Sequence, residues 1–251
     1  MSAKFLLVTD LDNTLIGDLE ATIALNQKLA LIRSDFYLIY ATGRSLISFR
    51  QLCQEFQALT TTSLLEPDYL VAGVGSEIYQ RSLLDQAWAD HLSQDWQRAA
   101  IAELVAACPE FQPQAKAAQN PWKLSYYAEA EHNPAAVTKL AHQLAAAGLA
   151  AQVVFSSDRD LDILPRNSGK GQAMQYLRQK LQIHPQLTLV CGDSGNDIGL
   201  FEQKTLGVMV SNAQPELLDW HRSNAYPYHH RARSAYAWGI LEALAHFQLC
   251  L

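Results

Sequence analysis

Phe5-Leu6-Leu7-Val8 runs through Thr9 into Asp10-Leu11-Asp12-Asn13-Thr14. An apolar run of that length is a buried strand, and its C-terminal end is the edge at which open α/β sheets bind their ligands. Side chains alternate along a strand, so Asp10 can face a substrate while Asp12 reaches it through the following turn. Two carboxylates there attract a hard divalent cation, and one of them can act as a nucleophile. Alone, Asp-Asn-Thr is equally a strand-ending turn. Three later segments decide against that reading.

Phe36-Tyr37-Leu38-Ile39-Tyr40-Ala41 ends in Thr42-Gly43-Arg44-Ser45, and a helical pattern follows. Thr42 offers a hydroxyl and Gly43 an unhindered N–H, both suited to a phosphate oxygen; alone, the tetrapeptide is more often a helix cap. Gly169-Lys170-Gly171 opens another helical stretch. A lysine at a helix start opposes the dipole, so its position there points to a purpose other than helix stability, such as a compact charge for a phosphate. Finally, Leu187-Thr188-Leu189-Val190-Cys191 runs into Gly192-Asp193-Ser194-Gly195-Asn196-Asp197. Four acids at one sheet edge repel one another at low effective dielectric unless a cation joins them, so the site calls for Mg²⁺.

These four segments, in this order, resemble the motifs of the haloacid dehalogenase superfamily of phosphohydrolases. The resemblance implies that Asp10 attacks phosphorus to form an aspartyl-phosphate, and that Asp12 protonates the leaving alcohol and then deprotonates the hydrolytic water. It implies that Thr42 and Lys170 hold the phosphoryl oxygens. Mg²⁺ would sit on Asp10, the Asp12 carbonyl and Asp193, supported by Asn196 and Asp197, with Asp197 also orienting Lys170. General chemistry agrees: phosphoryl transfer is mostly positioning and charge stabilisation.

Strand patterns at 5–9, 36–41, 69–74, 188–191 and 206–210 alternate with helical patterns at 21–33, 45–58, 169–182 and 234–247. That alternation predicts an α/β fold, a Rossmann-like doubly wound parallel sheet. Between about 80 and 165 the rhythm changes to a helix from Trp88 to Cys108, a strand at Lys123–Ala128, a helix at 134–147 and paired strands at 152–156 and 161–164. The expected division is a core of 1–79 and 166–251 with an inserted α+β cap of 80–165. A closing cap keeps water from a reactive intermediate.

The wider sequence is similar to the sucrose-phosphate phosphatase family, through Glu66-Pro67-Asp68-Tyr69, Val74-Gly75-Ser76-Glu77-Ile78-Tyr79, Asn120-Pro121-Trp122-Lys123-Leu124-Ser125-Tyr126 and Asp160-Leu161-Asp162-Ile163-Leu164-Pro165. Asn212-Ala213-Gln214-Pro215-Glu216 and Gly239-Ile240-Leu241-Glu242-Ala243 belong to the same resemblance. It implies hydrolysis of sucrose 6-phosphate to sucrose and phosphate, with sucrose-phosphate synthase as companion enzyme and partner. A sugar pocket needs amides, carboxylates and a basic group at fixed positions. Gly75, Ser76, Glu77, Asn120, Lys123, Ser157 and Asp158 are the candidates, joined near the phosphate by Gly43, Arg44 and Asn196. Asp158 and Arg159 read equally well as a hairpin turn. Trp88, Trp96 and Trp122 are expected in the cap core, and His229-His230 in a solvated loop.

Two rival readings use the same motifs: a phosphatase of another phosphosugar, such as mannosylglycerate phosphate or trehalose phosphate, and a catalytically silent regulatory module. The second should have lost one of Asp10, Asp12, Lys170 or Asp193, and all four are present. A net charge of −6 argues against a nucleic-acid partner. Residues 1–9 form neither a signal peptide nor a span, so a cytoplasmic protein is expected; a monomer is the expected state, though the sequence itself does not set it. Cys53, Cys108, Cys191 and Cys250 have no paired spacing and read as small buried hydrophobes in a reducing compartment.

Overall fold

Residues 4–60, 62–128 and 133–249 are described by a computed structural model of the chain. A central sheet of eight strands takes up β1 (Phe5–Thr9), β2 (Phe36–Ala41), β3 (Tyr69–Ala72), β4 (Glu77–Gln80), β5 (Leu83–Leu84), β10 (Thr188–Gly192), β11 (Leu206–Met209) and β12 (His229–Arg231). Its order is β12-β11-β10-β1-β2-β3-β4-β5. From β12 to β3 all neighbours are parallel, and β4 and β5 add an antiparallel margin.

Strand alternation divides the core into two faces. Phe5 and Leu7 point to one, packed with Leu25 and Leu29 of α1 (Leu19–Leu31), Phe49 and Phe56 of α2 (Leu46–Thr60) and Ile240 and Leu244 of α9 (Tyr236–His246). Leu6 and Val8 point to the other. There they meet Trp88 and Leu92 of α3 (Gln86–Ser93), Met174 and Leu177 of α6 (Lys170–Lys180), Phe201 of α7 (Ile198–Phe201) and Leu217 of α8 (Pro215–Ser223). Each such side chain withdrawn from water contributes about 1.5–3 kcal/mol. The result is the three-layer doubly wound fold expected of the alternation.

A second sheet of four antiparallel strands has the order β6-β7-β9-β8: β6 (Phe111–Pro113), β7 (Leu124–Ala128), β8 (Ala151–Ser156) and β9 (Asp160–Pro165). Its apolar face buries Leu161 and Ile163 against Ile101 and Val105 of α4 (Arg98–Ala106) and Leu140 and Leu144 of α5 (Asn133–Ala146). This is the α+β cap.

The structure corrects several local expectations. A single helix from Trp88 to Cys108 is instead two, because α3 packs on the large sheet and α4 on the small one. Trp88 is therefore buried in the core rather than the cap, with its indole N–H on the Gly75 carbonyl at 3.1 Å. Trp122 also packs against that core cluster, whereas Trp96 packs in the cap. His229 and His230 lie in edge strand β12, not in a loop: His229 packs against Phe201 and Trp220, and His230 pairs with Glu242 at 2.7 Å. Cys191 is fully buried, Cys53 and Cys108 only partly so, and Cys250 lies outside the described residues.

Candidate active site

Strand register brings the first and last acidic segments together. β1 pairs with β10 in parallel, Thr9 opposite Cys191, and the Asp10 N–H donates to the Cys191 carbonyl at 3.0 Å. Lys170, at the first turn of α6, is fully buried and places its Nζ 2.6 Å from Asp10 Oδ1 and 2.7 Å from Asp197 Oδ1. The other Asp197 oxygen accepts the N–H groups of Asp193 and Ser194 at 3.0 and 3.2 Å. Both Asp197 oxygens are thus committed to holding Lys170 and the loop. Asp193 is held through one oxygen by the Thr14 hydroxyl at 2.7 Å.

Charge in this cluster does not balance. Asp10, Asp193 and Asp197 offer oxygens that all lie within 4.8 Å of one another, facing one lysine. Burial, reinforced by Asp197, pushes Asp193 from the ordinary 3.8 up to about 7. Burial also pushes Asp10 upward, against the pull of Lys170 and with Asp197 and Asp193 adding to the rise. Burial alone would discharge Lys170, but Asp10 and Asp197 outweigh it and hold the ammonium above its usual range. The Asn196 Oδ1 is buried and has no hydrogen-bond partner among the described residues. A surplus of carboxylate and an orphaned amide oxygen fit a hard divalent cation.

Across the cleft, Asp12 is forked by Arg44: Nε to Oδ2 at 2.8 Å and a terminal nitrogen to Oδ1 at 2.7 Å. The same guanidinium donates to the Ser48 hydroxyl at 3.1 Å. Thr42 is buried; its N–H binds the Val71 carbonyl at 2.8 Å, and its hydroxyl oxygen accepts the Arg44 N–H at 3.1 Å. The next turn is clamped to this one, with the Val74 N–H on the Thr42 carbonyl and the Gly73 N–H on the Arg44 carbonyl, both at 2.9 Å. Val74 pays for the close fit with φ of 59°, a left-handed conformation unusual for a β-branched residue.

A cleft of about 330 Å³ joins the core edge to the cap. Of the residues expected from the sequence, Asp10, Asp12, Gly43, Arg44, Lys123, Ser157, Asp193 and Asn196 line it. Thr42, Gly75, Ser76, Glu77, Asn120, Asp158, Lys170 and Asp197 do not, Lys170 and Asp197 lying behind Asp10 and the Asp193 loop. Asn120 is occupied at both ends, donating to the Ser76 hydroxyl at 2.7 Å and accepting the Trp122 N–H at 2.9 Å, so it joins core to cap. Asp158 sits at the hairpin tip with φ of 52°.

Sequence reasoning missed Gln114, Ser156, Asp160 and Asp162, which also line the cleft. Lys123 Nζ lies 3.3 Å from Asp162 Oδ1, the Ser125 hydroxyl donates to that oxygen at 2.5 Å, and Gln114 Nε2 donates to Asp160 at 3.0 Å. One signal was available. Asp160 and Asp162 are two apart in an otherwise apolar strand, so both face the side away from Leu161 and Ile163.

The model of the sucrose-6F-phosphate phosphohydrolase family matches residues 3–248. The chain belongs to this family. It is 36% identical to the probable sucrose-phosphatase 2 of Arabidopsis thaliana over 98% of its own length and 60% of that protein's. It therefore spans about three-fifths of the length of the plant relatives. The mannosylfructose-phosphate phosphatase of Agrobacterium fabrum is 34% identical, with 97% of each chain covered. The X-ray structure of the sucrose-phosphatase from Synechocystis sp. PCC6803, in complex with sucrose and phosphate, superposes with a TM-score of 0.94 at 48% identity, covering 98% of both chains. Core and cap together are thus the haloacid dehalogenase fold of this family.

Proposed function

We propose that the protein hydrolyses sucrose 6-phosphate to sucrose and inorganic phosphate through an aspartyl-phosphate on Asp10. The observation that carries this reading is the likeness over 98% of both chains to a sucrose- and phosphate-bound phosphatase, in a chain whose Asp10, Asp12 and Asp193 line one cleft with Lys170 bonded to Asp10.

Asp10, held by Lys170, attacks phosphorus, and the bond to the sugar oxygen breaks. Asp12 delivers a proton to that oxygen and sucrose leaves. Asp12 then takes a proton from a water that attacks the acyl phosphate, which frees phosphate and restores Asp10. Thr42, the Gly43 N–H and Lys170 hold the phosphoryl oxygens. Asp10, Asp193, Asn196 and the Asp12 carbonyl would hold Mg²⁺, which when bound would supply charge neutralisation for the phosphoryl group. Asp197 supports that set and keeps Lys170 aimed. Arg44 fixes the Asp12 rotamer, and one of its two bonds opens when the carboxyl exchanges its proton.

Gln114, Lys123, Ser156, Ser157, Asp160 and Asp162 form the sugar wall, within the cap that follows α3. Their mix of amide, hydroxyl, carboxylate and ammonium matches the donors and acceptors of a disaccharide. The Agrobacterium relative favours one alternative, a different phosphorylated disaccharide. Phosphate release from sucrose 6-phosphate, mannosylfructose phosphate, trehalose 6-phosphate and mannosylglycerate phosphate decides between them. The reading requires the highest kcat/KM on sucrose 6-phosphate, and a higher value on any other ester overturns it.

No helix among the described residues is long and apolar enough to cross a membrane. We place the enzyme in the cytoplasm as a monomer that receives its substrate from sucrose-phosphate synthase. Co-sedimentation with that synthase tests the association.

A further inference from the structure

Glu216 touches two parts of the molecule that the reaction must bring together. It stands in the first turn of α8, and the approach to that helix is tied to the core. The Gln214 N–H donates to the Asp193 carbonyl at 2.7 Å, and Asn212 Nδ2 to the Asn13 carbonyl at 2.7 Å. From this anchored position Glu216 Oε1 accepts the Ser157 N–H at 3.0 Å, from the tip of the β8–β9 hairpin of the cap. The same oxygen accepts the Gly195 N–H at 3.3 Å, from the loop that carries Asp193, Asn196 and Asp197. One oxygen therefore receives one bond from each side.

Gly195 belongs to the same joint. A Cβ there would lie 2.6 Å from the Phe155 carbonyl oxygen and 2.9 Å from Glu216 Cγ, so the loop and the end of β8 meet at backbone distance. Ser157 needs φ of 55° to turn its N–H in this direction. An acid in a first helical turn ordinarily serves the helix dipole. Glu216 instead sends both of its bonds out of the helix, one to each wall of the cleft that Ser157 and Asn196 line.

We propose that Glu216 is a positioning residue, a latch that fastens the cap hairpin to the Gly195–Asp197 loop when the cap is down. It sets the sugar wall and the Asp193–Asn196 group in one frame, so that a substrate reaching both is held in line for attack. This extends the proposed function only in naming what aligns its two halves. It holds for whichever phosphosugar the enzyme turns over best.

The latch uses a single acceptor oxygen, which an amide can supply and a shorter carboxylate cannot bring within reach. Glu216→Gln, Glu216→Asp and Glu216→Ala are compared with the wild type on the best phosphosugar and on p-nitrophenyl phosphate, an ester too small to engage the cap. Exchange of the Ser157 amide hydrogen is measured in the same proteins without substrate. For Glu216→Ala and Glu216→Asp, the ratio of kcat/KM on phosphosugar to that on aryl ester should fall about tenfold, as expected for two lost hydrogen bonds. Ser157 exchange should accelerate in both. Glu216→Gln should keep the wild-type ratio and the slow exchange. Glu216→Asp retains a charged first-turn acid and guards the test against a fold that fails with alanine. Equal losses on both esters, unchanged Ser157 exchange, or a glutamine variant as impaired as alanine would each overturn the latch.

Discussion

Core edge and cap wall both present carboxylates to the same cleft, and they handle them in opposite ways. At the core edge Asp10, Asp193 and Asp197 crowd together around one lysine, and burial raises the cost of every charge. On the cap, Asp160 and Asp162 occupy alternate positions of β9, each with its own neutral donor, Gln114 for one and Ser125 for the other. The first arrangement is unfinished without further positive charge. The second is already satisfied and can exchange a protein hydroxyl or amide for one on a sugar at little cost. On the proposed function, chemistry and specificity are therefore separated in space and in kind.

Breaking the core side should have the largest consequence. Asp10→Asn removes the nucleophile and one carboxylate of the cluster, and turnover should fall at least about a thousandfold on any phosphate ester. A single-turnover assay, with mass spectrometry to exclude deamidation, checks this; a residual rate of several per cent would end the covalent mechanism. Metal removal comes next. Excess EDTA should silence the enzyme, Mg²⁺ should restore it, and Ca²⁺ should inhibit because its looser geometry misplaces Asp10. Saturating Mg²⁺ should also raise the unfolding free energy, by about 2.7 kcal/mol at a hundred times its Kd. An unchanged melting temperature with added Mg²⁺ would contradict the charge argument independently of activity.

On the cap side, effects should be smaller and selective. Lys123→Ala should cost about 1–3 kcal/mol in kcat/KM on the phosphosugar and leave p-nitrophenyl phosphate nearly untouched. Asn120→Ala supplies the contrast, since its amide already serves Ser76 and Trp122. It should lower thermal stability and depress both substrates alike. If Lys123→Ala also depresses both alike, the separation of roles fails.

The smallest effect lies at the sheet margin. Burial, with His221 adding to it, pushes His229 from the ordinary 6.5 down to about 4. Between those values the unfolded chain binds the proton and the folded one does not, so stability falls as pH drops from 6.5 toward 4. Because His229 is only half-buried, the difference should be about 1 kcal/mol. Urea unfolding at pH 7 and pH 5 should show a steeper loss for the wild type than for His229→Phe, and equal losses would assign the acid sensitivity elsewhere.

Most of the core was legible because three of its four acidic or polar segments begin where an apolar run stops, at the strand ends where a parallel sheet meets its ligand, while Lys170 stood out as a cation at a helix start. Asp10, Lys170 and Asp193, which the fold gathers into one cluster, could be singled out without knowing any contact. Glu77 and Asn120 were harder because polar residues at a junction serve a hinge as readily as a ligand, and only packing distinguishes them. Gln114 lies just past β6, a strand too short to carry a pattern. The break between α3 and α4 was hidden since helical periodicity runs through Ser93 and Arg98 while the packing partner changes. β12, with two histidines among three residues, has no strand signature of its own.

The pairing of β1 with β10 sets an order of assembly. Their partners are more than 180 positions apart along the chain, Leu6 opposite Thr188 and Thr9 opposite Cys191. Closing so long a loop costs entropy before any contact repays it, and long-range parallel pairing forms slowly. The β8–β9 hairpin joins across three residues and can form early. During synthesis the β8 and β9 strands can thus take shape while Asp10 still lacks Lys170 and Asp193. A half-made chain can then hold the β8–β9 hairpin without the Asp10–Lys170–Asp193 cluster, which needs the long-range β1–β10 pairing.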